Sequence, residues 1–247
     1  MRVLLFLLWT FLAFSGEIRV FAAADLQHPL SEIVRLYERR HPQDKVVLTF
    51  GSSGKGATQI RQGAPFDIYM AANMKFVEDL YKEGYVVTPP KPYAVGKLVI
   101  WVRKDSGLDP SKFPQVLLDD RVKKIAIADW KVAPYGAAAK ELLERTGLWD
   151  RVKEKLVIGE NISQTASFVF SGAADVGLIS LSQALSKELS AKGIYWVVPK
   201  DKYTPIVQGY GITKRGSEKP EVRRFYEFIL SKEAREVFKK YGFDEPY

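Results

Sequence analysis

The spacing of apolar positions switches repeatedly between the period of a strand and that of a helix. Glu17 to Ala22 and Lys45 to Phe50 read as strands, and between them Ile33, Leu36 and Tyr37 recur at helical spacing in a stretch from Pro29 to Arg40. Phe66 to Met70 reads as a third short strand; a helix opening at a glycine-rich turn after Phe50 precedes it, and a helix over Met74 to Glu83 follows. Strands and helices in this order predict a parallel sheet covered on both faces. Thr88-Pro89-Pro90-Lys91-Pro92 then breaks the chain. In the second series, strands are expected over Lys97 to Arg103, Lys124 to Ala128, Leu156 to Gly159, Val176 to Ile179 and Ile194 to Val198. Helices alternate with them over Tyr135 to Thr146, Ser163 to Ser171 and Leu181 to Ala191. Ile206 to Thr213 returns as a strand, and Pro220 to Tyr241 supplies one or two closing helices. The expected architecture is α/β with two lobes, each a mainly parallel sheet flanked by helices. Residues 17–93 and 207–247 make the first lobe and 94–206 the second, with the chain crossing near 92–96 and 204–208. Ligands of such sheets bind where strands end and helices begin, here in a cleft between the lobes.

The first residues stand outside this pattern. Met1-Arg2 precedes an apolar run from Val3 to Phe14, and the small residues Ala13 and Ser15 suit cleavage near Ser15 or Gly16, which predicts a secretory signal peptide over residues 1–16. The run is short for a bilayer span. An exported, periplasmic protein is therefore expected. None of the 247 residues is cysteine, so disulfides, a lipid-bearing thiol and thiolate chemistry are excluded. The formal charge is +8, from 37 Lys and Arg against 29 Asp and Glu, and the basic residues are dispersed. Such a surface suits an anionic ligand, whereas no basic stripe with interleaved aromatics marks a nucleic-acid partner.

Four predicted strand-to-helix turns concentrate the candidate chemistry. Phe50-Gly51-Ser52-Ser53-Gly54-Lys55-Gly56-Ala57-Thr58 joins glycines, which permit positive φ and close backbone approach, to hydroxyls at a helix N-terminus. Phe21-Ala22-Ala23-Ala24-Asp25 ends in a residue that commonly caps helices. In Ala128-Asp129-Trp130-Lys131-Val132-Ala133-Pro134-Tyr135-Gly136, Pro134 suits the first helical position and exposes the amides after it. Asn161 or Ser163 caps the helix after Gly159-Glu160. Each turn alone also reads as an ordinary capped helix start; together they are expected to converge on one anion with N–H and O–H donors and no counter-charge.

Enzyme chemistry fits the same residues poorly. A phosphate-binding P-loop requires lysine where Ala57 stands, and Lys55 comes two positions early. Ser53 is no nucleophile elbow, because Lys55 occupies the final glycine position, and only His28 and His41 are available as histidine bases. Asp25, Asp67, Asp129 and Asp175 follow four different strands; a cation site among them competes with caps and turns, the reading preferred for Asp67 and Asp175.

Taken together, the turns resemble those of the molybdate-binding proteins of periplasmic ABC transporters. Val20-Phe21-Ala22-Ala23-Ala24, Phe50-Gly51-Ser52-Ser53, Gln59-Ile60, Gly63-Ala64-Pro65-Phe66-Asp67, Tyr135-Gly136, Gly159 to Gln164 and Tyr241-Gly242-Phe243 carry the resemblance, which spans the chain after the leader. It implies the two-lobed, hinged type II periplasmic binding protein fold, no catalysis, no cofactor and no cation site. It also implies molybdate or tungstate held by hydrogen bonds at Asp25, Ser53, Tyr135, Ile162 and Ser180, with delivery by a monomer to a membrane permease. Another small anion (sulfate, phosphate or a carboxylate) is the alternative ligand. Two positions depart from the family pattern. Asp25 stands where serine is familiar, and Ser180 where tyrosine is. Three readings of Asp25 stay open: its backbone N–H serves the ligand while the carboxylate caps the helix or turns to Gln27 or His28; it is protonated or shares a proton with the oxyanion; or the ligand differs.

Overall fold

The computed structural model describes residues 16–246. The leader expected over residues 1–16 thus lies outside the described residues except for Gly16, which opens the first strand. In chain order the strands are β1 (Gly16–Ala23), β2 (Asp44–Gly51), β3 (Ile68–Ala71), β4 (Lys91–Gly96), β5 (Leu98–Arg103), β6 (Ile125–Ala128), β7 (Leu156–Gly159), β8 (Val176–Ser180), β9 (Gly193–Val197) and β10 (Ile206–Ile212). The helices are α1 (Gln27–Arg40), α2 (Ser53–Arg61), α3 (Met74–Lys82), α4 (Pro134–Arg145), α5 (Trp149–Val152), α6 (Ile162–Ser171), α7 (Leu181–Ala184), α8 (Lys187–Lys192), α9 (Pro220–Phe228) and α10 (Lys232–Lys240).

Two sheets of five strands form, in the orders β2-β1-β3-β10-β4 and β7-β6-β8-β5-β9. Each has a parallel core of three strands, and each is mixed rather than uniformly parallel. β10 runs antiparallel to β3 and β4, and β5 runs antiparallel to β8 and β9. The period-2 alternation of β1 explains why helices cover both faces of its sheet. Ile18, Val20 and Ala22 enter the cluster with Leu30, Ile33, Tyr37, Phe225 and Phe238, whereas Phe21 joins Ala57, Ile60, Val77 and Leu80 on the opposite face. In the second sheet, Leu98 to Val102 of β5 are fully buried. Burying each such large apolar side chain stabilises the fold by about 1.5–3 kcal/mol.

Two local differences from the sequence expectations have plain causes. The proline-rich stretch near residue 90 is not merely a break: Lys91–Gly96 forms β4, because this is an edge strand, where Pro92 costs no ladder donor. The helix expected over Leu181 to Ala191 divides into α7 and α8, since the Ser186 side chain accepts from Leu189 N–H and starts a second helix. The closing segment, expected as one or two helices, forms α9 and α10, the latter capped by Ser231.

The chain passes between the sheets twice in adjacent positions. β4 leads through Lys97 into β5, and Tyr203 returns beside it, its hydroxyl accepting from Leu98 N–H at 3.0 Å before β10 begins. The C-terminal stretch adds a non-covalent tie there. Asp244 bridges to Val95 through the backbone, and its carboxylate pairs with Lys97 at 3.0 Å and with Lys200.

Candidate functional site

Four helix starts meet between the sheets, two from each side. From the first sheet come α2 and the 3-10 turn Ala24–Leu26 that leads into α1; from the second come α4 and α6. They enclose a small cavity lined by Ala23, Ala24, Asp25, Gly51, Ser52, Ser53, Ala72, Ala133, Pro134, Tyr135 and Ile162. No Lys, Arg or His side chain belongs to that lining. The first N–H groups of a helix have no acceptor within it, so such a convergence presents donors and positive helix-dipole ends to one volume.

Local sequence explains each start. Ser52 caps α2, accepting from Lys55 N–H, which leaves Ser53 at the first helical position. The Ser53 side chain is fully buried and its Oγ accepts from Ala72 N–H at 2.9 Å. Among the described residues Oγ makes no other hydrogen bond, so the hydroxyl proton remains available beside the cavity. Pro134 opens α4 after Ala133, with no side-chain cap occupying the amides that follow. Asn161, of the two expected candidates, caps α6 by accepting from Gln164 N–H, and Ile162 follows at the first position.

The glycines of the α2 turn matter for closeness and not for handedness. Among the described residues the positive-φ glycines are Gly63, Gly84, Gly107, Gly147, Gly172 and Gly242, none of them in this turn. A Cβ on Gly56 would lie 2.2 Å from the Phe21 ring, so only glycine lets α2 pack on β1. Gly54 N–H reaches across to the Val132 carbonyl at 2.9 Å, joining the two sides. Lys55 is exposed and outside the cavity lining.

Asp25 behaves differently from a cap. It is 2% exposed, and its side chain makes no capping bond to the turn that contains it. Oδ2 instead accepts from Tyr135 Oη at 2.8 Å and from Gln208 Nε2 at 2.7 Å, while Oδ1 is buried with no partner. Gln208 in turn accepts from Tyr93 Oη at 2.7 Å. The β-bulge at Gln208 and Gly209 lies at this point of β10. Burial pushes the Asp25 carboxyl up to about 6, partly offset by the bonds from Gln208 and Tyr135. Burial, the neighbouring Asp25 charge and the bond to it push the Tyr135 hydroxyl well above its usual value.

Of the residues expected from the sequence, Asp25, Ser53, Tyr135 and Ile162 line one cavity, and Ser180 is absent from its lining. Ser180 caps α7 in a reciprocal capping box with Gln183. Gln183 donates to the Ile162 carbonyl at 2.9 Å, so Ser180 reaches the cavity wall through one intermediate. Beside it, Ser182 Oγ donates to the Asp25 carbonyl at 2.8 Å, a second bond between the two sides. Tyr135 lines the cavity, and its hydroxyl is engaged by Asp25. The sequence reading missed Gln208, Tyr93, Ser182 and Gln183; only Gln208, a lone amide within the apolar run of β10, left a signal.

Besides Asp25, the aspartates considered as cation ligands lie apart and are engaged locally. Among the described residues no group of three His, Cys, Asp or Glu is placed to hold a metal ion. Asp67 accepts from Arg19 N–H, Asp175 from the amides of Lys123 and Lys124, and Asp129 from Lys131 N–H, so each stabilises a turn or strand end. Trp130 packs edge-on against Trp149, and both lie under the Lys140 ammonium.

Comparison with known proteins agrees with this geometry. Residues 18–244 match the profile of the bacterial extracellular solute-binding proteins. The chain is 37% identical to the molybdate-binding protein ModA of Rhodobacter capsulatus, over 94% of this chain and 89% of that one. It is also 37% identical to ModA of Azotobacter vinelandii, over 93% and 90% of the two chains. The solved periplasmic molybdate-binding protein of Azotobacter vinelandii superimposes with a TM-score of 0.85 at 30% identity, covering 93% of this chain and all of that one. The chain belongs to the bacterial extracellular solute-binding protein family, whose members bind solutes and are not enzymes.

Proposed function

We propose that this chain is the substrate-binding protein of an ABC transporter and that it captures a tetrahedral oxyanion, molybdate or tungstate, in the cavity between its lobes. One observation carries the reading: helix starts from both sides converge on a small cavity with no cation in its lining. Each helix N-terminus contributes about half a positive charge, so four offer roughly the charge of a dianion without the geometric demands of a salt bridge. In this reading Ser53 donates through Oγ–H and its amide, and Asp25, Tyr135 and Ile162 donate through their amides. Ser180 acts through Gln183 on the Ile162 backbone. The molybdate-binding relatives support molybdate over other anions. Sulfate has the same charge and shape but is smaller, so rigid donors around a fixed volume discriminate by size.

Closure brings residues 17–93 and 207–247 together with 94–206 about the two adjacent crossings. The leader at residues 1–16 directs export to the periplasm, where a monomer presents the loaded, closed form to a membrane permease. Calorimetric titration of the purified protein with molybdate, tungstate, sulfate and phosphate tests the reading. One site with clear preference for molybdate and tungstate is expected. Preference for sulfate or phosphate would reassign the ligand, and no heat with any of the four would remove the oxyanion reading.

A further inference from the structure

We infer that Asp25 makes oxyanion capture proton-coupled: the anion enters with one proton from solvent, which settles on Asp25 Oδ1 and converts that oxygen from an acceptor into a donor toward the bound oxyanion. This rests on the oxyanion reading of the cavity. The geometry leaves one carboxyl oxygen for the task. Oδ2 already accepts two hydrogen bonds, from Tyr135 and Gln208, while Oδ1 is buried, has no partner, and belongs to a residue lining the cavity.

Among the described residues no cationic side chain pairs with Asp25 to make its ionised form tolerable beside an anion. The groups that face it from the packed elements are Tyr135 of α4, Tyr93 of β4, Gln208 of β10 and Ser182 of α7, all uncharged donors or acceptors. Burial holds the hydroxyls of Tyr93 and Tyr135 well above their usual values, so neither carries charge near neutral pH. Among the described residues Asp25 forms no ion pair with Lys, Arg or His, and a carboxylate oxygen against an oxyanion in so dry a site repels it strongly. Protonation removes the repulsion and supplies an additional O–H donor. The carboxyl is already raised to about 6 in the absence of ligand, and an adjacent anion raises it further.

The coupling has a measurable signature. Above pH about 6 the free protein has an ionised Asp25, so binding takes up close to one proton and the molybdate Kd rises about tenfold per pH unit. Below that point the Kd levels off. The test is calorimetric titration of the full-length mature protein with sodium molybdate at pH 7.5 in HEPES, Tris and imidazole, whose ionisation heats differ, with Kd followed from pH 5 to 8.5. Wild type is expected to take up close to one proton per molybdate. Asp25→Asn, which places an amide donor without a titrating proton, is expected to show no uptake and a flat Kd profile. Molybdate binding to wild type without proton uptake, and with a pH-independent Kd, overturns the coupling while leaving the oxyanion reading intact. The absence of molybdate binding overturns the coupling and the molybdate assignment, and the absence of heat with tungstate, sulfate and phosphate as well overturns the oxyanion reading. The wild-type proton count decides the question even where the variant fails to fold.

Discussion

Ser53→Ala separates the two bonds that one hydroxyl supports. In the ligand-free protein Oγ accepts from Ala72 N–H at 2.9 Å in a fully buried setting, and in the proposed complex the same hydroxyl donates to the oxyanion. Truncation deletes the donor, and a hydrogen bond to a charged group is worth about 1.5–3 kcal/mol, so the molybdate Kd should rise roughly 10- to 150-fold. It also strands the Ala72 amide, and a buried unsatisfied donor costs about 1–3 kcal/mol of stability. For a chain of this size each kcal/mol lowers the melting midpoint by about 2–4 °C. The two losses appear in different assays: calorimetric titration reports the first, and thermal unfolding without ligand reports the second. A melting midpoint that falls while the Kd stays within twofold of wild type would show that Ser53 is structural and that the oxyanion takes its donors elsewhere. An unchanged midpoint would show that the Ala72 bond contributes nothing net.

Three further outcomes follow from the same geometry. The Asp25 carboxyl holds its proton up to about 6 when folded against 3.8 as a free side chain, so its own contribution to ligand-free stability is greatest below pH 4, falls as pH rises to 6 and stays lower above it. Asp25→Asn should therefore be more stable than wild type at pH 8, by at most about 3 kcal/mol, and lose that advantage at pH 4; urea unfolding at both pH values checks the sign. A Cβ on Gly96 would lie 2.1 Å from Tyr135 Oη and 2.7 Å from Gln208 Nε2, so Gly96→Ala should oppose closure by about 1–3 kcal/mol. Small-angle scattering with saturating molybdate should then show a more open molecule than wild type, and equal profiles would contradict this. Ser180→Ala removes a cap worth about 0.5–2 kcal/mol, and its molybdate Kd should change less than that of Ser53→Ala, since its path to the cavity runs through Gln183.

Much of the fold was legible because alternating periods are a backbone property. The run of β1, with Ile18, Val20 and Ala22 on one face and Phe21 on the other, announces a two-sided sheet before any contact is known. Strand direction was less legible. β10 and β5 run against their neighbours through long-range pairing that local pattern does not encode. β4 was hidden by prolines that an edge strand tolerates. At the site, the four helix starts were readable from Asp25, Ser53, Pro134 and Asn161, because turn chemistry lies within a few residues. The contacts among them were not. The local cap, one of three readings open for Asp25, is not the bond that forms: its partners Tyr135 and Gln208 lie 110 and 183 residues away in sequence. A helix-start aspartate looks the same whether its carboxylate caps its own turn or reaches across a cleft.

The tie at Asp244 gives the crossing region a mechanical character. Two adjacent strands acting alone make a flexure that bends in one plane but also resists torsion weakly. The carboxylate of Asp244, paired with Lys97 on one crossing and with Lys200 near the other, adds a third anchor between the two crossings. In the proposed closure, three anchors leave bending free and oppose rotation about the long axis, so the halves would approach along a single coordinate. The third anchor is ionic and partly exposed, so its stiffness depends on the medium: screening lengths fall from about 10 Å at 0.1 M salt to about 3 Å at 1 M. Ionic strength thus acts on the torsional compliance of the joint and leaves its covalent strands untouched.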